Sequence, residues 1–342
     1  MVILTDGLSD KPDEGFLKVA TGIVKEIKKT DPSVKIVSCG EKSEYADENV
    51  GKSKLFLSKK IKKAIRGGRE VLYVPKASAT LGSAIRTYNL SRGGKRKVRV
   101  LLTMDYPLSK IASRFFEKSN AEFFVLSERM KIRLSESLKN RVKLLKTGIN
   151  TNDFYKVAPD EKARLRKKYG FCEDDVIVLH AGHMNYNRNA DKLALVQDGY
   201  KALFVVSSAT KKDEKLREFL LERKNVTLFE RYADRMCELY QISDVYLFPV
   251  KADNACIETP LSVLEAIACG LPVIATEYGQ LKEFRGVDGI TFIDEINEKT
   301  LNEKIAEVLE KKKSADVKII EKYSFENCVS DILGKKERED KS

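Results

Sequence analysis

Residues 253–279 read DNACIETPLSVLEAIACGLPVIATEYG. Thr259 before Pro260 predicts an N-cap followed by proline at the first helical position, a helix running to Cys269, and Gly270 just past its end. The leading amides, those of Leu261 and Ser262, would then face out of the helix start, where the helix dipole favours an anion such as phosphate. Glu258 precedes that start and Glu265 follows two turns on, on nearly the same face. Ionised carboxylates so placed accept strong hydrogen bonds from hydroxyl groups. The plainer alternative is that Glu258 simply favours a helix N-terminus and Glu265 is solvated. After Gly270 the apolar run LPVIAT reads as a buried strand.

The same alternation of short β-branched runs and longer amphipathic stretches extends along the chain. In the first half the strand candidates are residues 2–5, 34–39, 70–75, 98–104, 121–127 and 141–148. In the second half they are residues 175–182, 202–208, 225–230, 244–250, 271–276 and 289–294. Strands separated by helical stretches imply parallel sheets covered by helices. With 342 residues, at ~100–200 residues per domain, two doubly wound α/β domains follow. The cut is placed near Pro159, giving domains 1–157 and 158–325 and a C-terminal helix and tail over 326–342 that is expected to pack back on the first domain.

Composition removes several classes. Hydrophobic residues are 42% and charged residues 33%, with 19 Gly and 8 Pro, which excludes collagen-like and low-complexity chains. No apolar run reaches the ~20 residues of a membrane span, and Asp6 interrupts the apolar N-terminus, so a cytoplasmic protein is expected. The six cysteines form no CxxC pair and only His180 and His183 could join them as nitrogen ligands, so no metal site and reduced, buried thiols are expected.

The net charge of +12 is unevenly spread: residues 1–150 carry 32 Lys+Arg against 16 Asp+Glu, net +16, and residues 151–342 carry 31 against 35, net −4. A basic half favours an anionic partner. The segment 54–66, KLFLSKKIKKAIR, spaces Leu57, Ile61, Ala64 and Ile65 as a helical stripe among Lys59, Lys60, Lys62, Lys63 and Arg66. Such a basic amphipathic helix can rest on an anionic membrane, or it can be a packed helix with a basic outer face. The loop 91–99, SRGGKRKVR, lacks the aromatics of a nucleic-acid platform, and nucleic acid is not the expected partner.

The stretch LEAIACGLPVIAT (264–276) resembles the signature of family-4 retaining glycosyltransferases of the GT-B fold, Glu-x7-Glu followed by Ala-Met-Ala-Cys-Gly-x-Pro-Val. Three further segments resemble the family in order: TGINTNDF (147–154), AGHMNYNRN (181–189) and SDVYLFP (243–249). The resemblance implies two Rossmann-like domains facing across a cleft. It also implies a metal-independent hexosyl transfer, without cofactor, from a UDP- or GDP-linked sugar to a glycan or glycolipid; the basic first half adds the expectation of peripheral docking at the inner membrane face. It further implies that Glu265 holds the ribose hydroxyls, that the Leu261 and Ser262 amides and Arg188 hold the diphosphate, and that Gly15, in the loop after the first strand, lets backbone approach the donor phosphates. Tyr232, near the expected base pocket, is the candidate to stack on the base, with an ordinary surface or core tyrosine as the plainer alternative. Three features depart from the family pattern: Glu258 gives Glu-x6-Glu, His183 replaces an arginine, and Asp105 of TMDYP (103–107) stands where the family often has a histidine. The candidate catalytic residues are accordingly Glu258, Asp105 and Arg188. A non-catalytic nucleotide-binding scaffold, a sugar-nucleotide epimerase and a basic nucleic-acid-binding protein are the alternatives.

Overall fold

A computed structural model describes residues 1–51, 58–94, 96–208, 210–253, 255–311 and 314–334. The chain divides into two compact units: residues 1–148 with 256–259 and 323–342, and residues 149–255 with 260–322.

The first unit begins β1 (Val2–Thr5), α1 (Gly15–Thr30), β2 (Lys35–Ser38), β3 (Glu48–Asn49), α2 (Lys59–Ala64) and β4 (Glu70–Val74). It continues α3 (Leu81–Ser91), β5 (Lys97–Leu102), α4 (Lys110–Lys118), β6 (Glu122–Val125), α5 (Glu128–Leu138) and β7 (Val142–Leu144). The strands form a sheet of order β3-β2-β1-β4-β5-β6-β7, parallel at every pairing. All four residues of β1 are buried, as expected of a parallel strand covered on both faces. Helix starts follow the sequence: Ser58, Thr80, Ser109 and Ser127 each accept a backbone N–H three residues on.

The second unit runs α6 (Pro159–Tyr169), β8 (Val176–Gly182), β9 (Tyr200–Val206), α7 (Glu214–Leu221), β10 (Val226–Phe229) and α8 (Met236–Gln241). It continues β11 (Val245–Phe248), α9 (Leu261–Ala268), β12 (Val273–Ala275), β13 (Ile290–Phe292) and α10 (Glu298–Lys311). Its sheet has order β10-β9-β8-β11-β12-β13, again parallel throughout. In each sheet the strand order reverses beside the first strand, at β1/β4 and at β8/β11. In such sheets ligands bind outside the carboxyl ends of the strands at that reversal. Among the described residues no helix is long and apolar enough to cross a membrane.

The division differs from the sequence reading in three places, one being that the second unit ends at Lys322 rather than at residue 325. The first unit ends at Gly148 rather than at residue 157, and it reclaims Cys256–Thr259 from the middle of the second half. Backbone pairing explains the latter: the Glu258 N–H donates to Thr103 O at 3.1 Å, and the Thr259 hydroxyl donates to Leu126 O at 3.0 Å. The short strand β3 was also missed, since two residues carry no periodicity.

The last helix, α11 (Phe325–Leu333), lies in the first unit and packs on α1. The contact needs glycine: a Cβ at Gly22 of α1 would fall 2.1 Å from the Phe325 ring. Gly22→Val should therefore displace α11 and cost ~1–3 kcal/mol, seen as a lower midpoint in thermal unfolding. An unchanged midpoint would contradict this packing.

Candidate functional site

In the second unit the site is built at the carboxyl ends of β8 and β11. Helix α9 opens with Pro260 as its N-cap and Leu261 as its first residue, so Thr259 does not cap it, contrary to the sequence reading. Thr259 spends its hydroxyl on Leu126 O instead. The first intrahelical bonds run from the Val263 and Leu264 N–H groups to Pro260 O, at 3.2 and 3.4 Å, leaving the Leu261 and Ser262 amides ahead of the helical ladder. At the other end Cys269 is the C-cap and Gly270 takes φ +69°, which glycine adopts without steric cost.

Glu265 is 2% exposed and accepts a 2.9 Å hydrogen bond at Oε2 from the Tyr240 hydroxyl of α8. Burial, then the Glu265 charge, pushes the Tyr240 phenol well above its ordinary range, so it remains a donor. Tyr246 of β11 is also buried; its hydroxyl donates to Ala181 O at 3.4 Å and is hydrogen-bonded to Ser262. One tyrosine thus orients the carboxylate on α9 and the other ties the start of α9 to the end of β8.

The segment after β8 is fixed by its asparagines. Asn185 caps a short 3-10 turn over Tyr186–Arg188 by accepting the Arg188 N–H at 3.0 Å. Asn189 adopts φ +52° and donates from Nδ2 to Pro249 O at 2.8 Å, joining this loop to the one after β11. Arg188 is thereby aimed back toward Gly182: a Cβ there would lie 3.4 Å from both Arg188 Nη1 and His180 Nε2. The buried Arg188 Nε and His180 Nε2 have no hydrogen-bond partner among the described residues. His180 is fully buried with Nδ1 2.9 Å from Leu247 O, and burial pushes its pKa down to about 4, so the ring is neutral. Both nitrogens therefore lie unpaired close to a glycine that carries no side chain. His183, half-buried, directly follows β8, and Tyr232 lies half-buried between β10 and α8.

The remaining candidates lie in the first unit. Gly15 is the first residue of α1 rather than a loop residue, and a Cβ there would meet the Ile257 side chain at 3.1 Å. The close approach that this glycine permits is to the Cys256–Thr259 segment. Glu258 has no exposed surface, and Asp105 is 4% exposed. Two arginines of α5, which the sequence reading did not single out, answer them. Arg129 Nε is 2.8 Å from Asp105 and its Nη2 is 3.4 Å from Glu258 Oε1, while Arg133 also pairs with Asp105. Asp105 is thus committed to two ion pairs. Their i, i+4 spacing was the available signal, but on a solvated helix it is commonplace.

The basic segment resolves into the six-residue α2, with Ile61, Ala64 and Ile65 in the core and Lys59, Lys60, Lys62, Lys63 and Arg66 all exposed. Its apolar face is therefore spent on packing, and a charged outer face is what remains; Lys54 and Leu57 lie outside the described residues. Cys172 is exposed, whereas the sequence reading expected every thiol to be buried.

Burial pushes the Glu258 carboxyl up, against the opposing pull of Ser127 and Arg129. A group whose folded pKa is raised binds more protons folded than unfolded, so its stability penalty grows as pH rises from the unfolded toward the folded value. Glu258→Gln should thus match or exceed the native thermal midpoint at pH 8 and lose that advantage at pH 4. A midpoint lowered more at pH 8 than at pH 4 would contradict the assignment.

Comparison with known proteins bears on the fold and on the second half of the chain. Residues 176–311 match the family Glycosyl transferases group 1. EpsD of Bacillus subtilis (strain 168), named as a glycosyltransferase, is 31% identical over 137 residues, 38% of this chain and 35% of its own length. The chain spans little more than a third of the curated relatives it matches. Anabaena HepE, solved with UDP-glucose, superposes with TM-score 0.76 at 15% identity, covering 98% of both chains. A glycosyltransferase of Rickettsia africae gives TM-score 0.73 at 14% identity, covering 98% of this chain and 99% of its own. The chain thus has the two-domain α/β fold of the GT-B glycosyltransferases and, over residues 176–311, is similar to the Glycosyl transferases group 1 family.

Proposed function

We propose that this protein transfers a hexosyl group from a nucleotide-diphosphate sugar, UDP- or GDP-linked, to a hydroxyl of a glycan or glycolipid. The observation that carries the reading is the grouping of Gly182, His180 and Arg188 beside the α9 start, with the buried Glu265 one helix face away. The solved HepE complex holds UDP-glucose on the same fold.

Cleaving the bond between the anomeric carbon and a phosphate oxygen builds negative charge on the departing diphosphate. The Arg188 guanidinium and the Leu261 and Ser262 amides would meet that charge, an electrostatic contribution of several kcal/mol in related settings. Glu265, held by Tyr240, would accept the ribose hydroxyls, and Tyr232 would stack on the base. Neutral His180 beside Gly182 would accept a hydrogen bond without adding a second charge, and His183 would gain charge beside a diphosphate. The reading asks for no metal, since cationic and amide groups carry the neutralisation. Glu258 would face the sugar as an acceptor of hydroxyl hydrogen bonds, while Asp105 would act through Arg129 and Arg133 rather than at the reacting carbon. The transfer would retain anomeric configuration, with the leaving phosphate taking the acceptor proton.

The basic first unit is assigned to the acceptor side. Lys59, Lys60, Lys62 and Lys63 would hold an anionic membrane surface by charge alone, each worth ~1 kcal/mol near the surface. Replacing the four by Gln should weaken sedimentation with vesicles containing anionic lipid and leave binding to neutral vesicles unchanged; equal binding to anionic vesicles would sink the assignment.

The donor assignment is tested by nucleotide-dependent thermal shift and by transfer kinetics. One of UDP, GDP, ADP and CDP should raise the midpoint, by about 2.7 kcal/mol of stabilisation at ~100 times its dissociation constant. Glu265→Ala should abolish that shift, and Arg188→Ala should lower kcat/KM for transfer by ~10²-fold or more. Shifts that survive Glu265→Ala would overturn the donor site.

A further inference from the structure

The second unit contains a separate cavity of about 260 Å³ at the opposite end of α9 from the Leu261 and Ser262 amides. Eight residues of helix at 1.5 Å each put ~12 Å between the two. Its apolar walls are Val157, Cys269, Val308 and Leu309, and its polar side includes Lys156 and Lys162. The volume lies just under the ~300–1,000 Å³ of ordinary small-molecule sites, which suits a small ligand.

The charges around it do not balance. Lys162 Nζ is 2.8 Å from Asp244 Oδ1 and Arg166 Nη2 is 2.6 Å from Asp244 Oδ2, so one carboxylate answers two cations. Lys156 adds a third, and its ammonium lies 3.4 Å from the neutral Ser314 hydroxyl. Burial lowers the Lys162 pKa, and Arg166 and Lys156 push it the same way. The Lys156 stem passes close to Gly270, where a Cβ would come within 2.9 Å of Lys156 Cδ and 2.8 Å of Ser314 Oγ. An anionic group at the mouth would offset this cationic excess, with an apolar body against Val308 and Leu309.

Tyr240 lines this cavity, and its hydroxyl holds Glu265 at 2.9 Å. A ligand in contact with Tyr240 therefore touches the residue that orients the carboxylate of the donor site.

We propose that the cavity is a second binding site, for a small organic anion carrying a phosphate or carboxylate on an apolar body, and that its occupation alters nucleotide affinity through Tyr240 and Glu265. The binding half stands on the cavity alone; the coupling half rests on the donor-site reading above.

Calorimetric titration of the full chain with phenyl phosphate, benzoate and inorganic phosphate, in saturating nucleotide diphosphate, separates this site from the first. Phenyl phosphate or benzoate should bind once per chain, more tightly than inorganic phosphate. Lys156→Gln should weaken binding tenfold or more, and Leu309→Trp, which fills the cavity, should remove it. The bound probe should change the nucleotide dissociation constant at least twofold, and Tyr240→Phe should cancel that change while the probe still binds. No binding by any of the three probes, or binding unaffected by Leu309→Trp, overturns the site. Binding without an effect on the nucleotide, or an effect that persists in Tyr240→Phe, overturns the coupling. If no nucleotide binds at all, the donor reading fails, and titration of the probes without nucleotide still decides the cavity.

Discussion

The hydrogen bond from Asn189 to Pro249 O joins the two loops that leave β8 and β11 at the reversal of strand order. Parallel strands force every connection to pass over the sheet, and only at the reversal do neighbouring connections go to opposite faces and leave a crevice. Without a tie across that crevice, Arg188 would be one more mobile surface cation. With it, the guanidinium is held close to Gly182 and a neutral imidazole, and the second loop ends at the α9 start. The tyrosines complete the arrangement from below: Tyr246 bonds both Ala181 O and Ser262, and Tyr240 fixes Glu265.

The first unit solves a different electrostatic problem. Glu258 and Asp105 are withdrawn from water, and a buried carboxylate is tolerated only when paired or protonated. Arg129 bridges the two and Arg133 reinforces Asp105, while Arg129 keeps about half of its side chain exposed. The quartet is formally neutral, yet burial still raises the Glu258 pKa. Retaining such a group costs stability. The positive charge of the unit lies elsewhere, on the outer face of α2, whose apolar side belongs to the core.

Much of this was legible in the sequence because parallel strands are buried on both faces and so announce themselves as apolar runs; VILT and VIVLHAG need no partner to be recognised. The α9 signature was legible because cap chemistry is local, although its start was read one residue early: Thr259 had a longer-range partner in Leu126 O that outcompeted the cap. Long-range choices were not legible. Nothing local tells that Ile257 will fill the space over Gly15, that Arg129 will turn to Glu258 across 129 positions of chain, or that Phe325 will sit on Gly22. Nothing in the sequence singled out Tyr240 or Tyr246, because their hydroxyl partners emerge only once α8, β11 and α9 are packed. The basic helix was read as longer than α2 because Leu57 continued its stripe, and Leu57 lies outside the described residues.

The central claim is that the α9 start, Arg188 and Glu265 form a nucleotide-diphosphate site. A crystal structure of the chain soaked with UDP or GDP tests it most directly. The account predicts diphosphate oxygens at hydrogen-bonding distance from the Leu261 and Ser262 amides and Arg188, with the ribose hydroxyls on Glu265. A nucleotide bound elsewhere, or bound with its ribose away from Glu265, would contradict it.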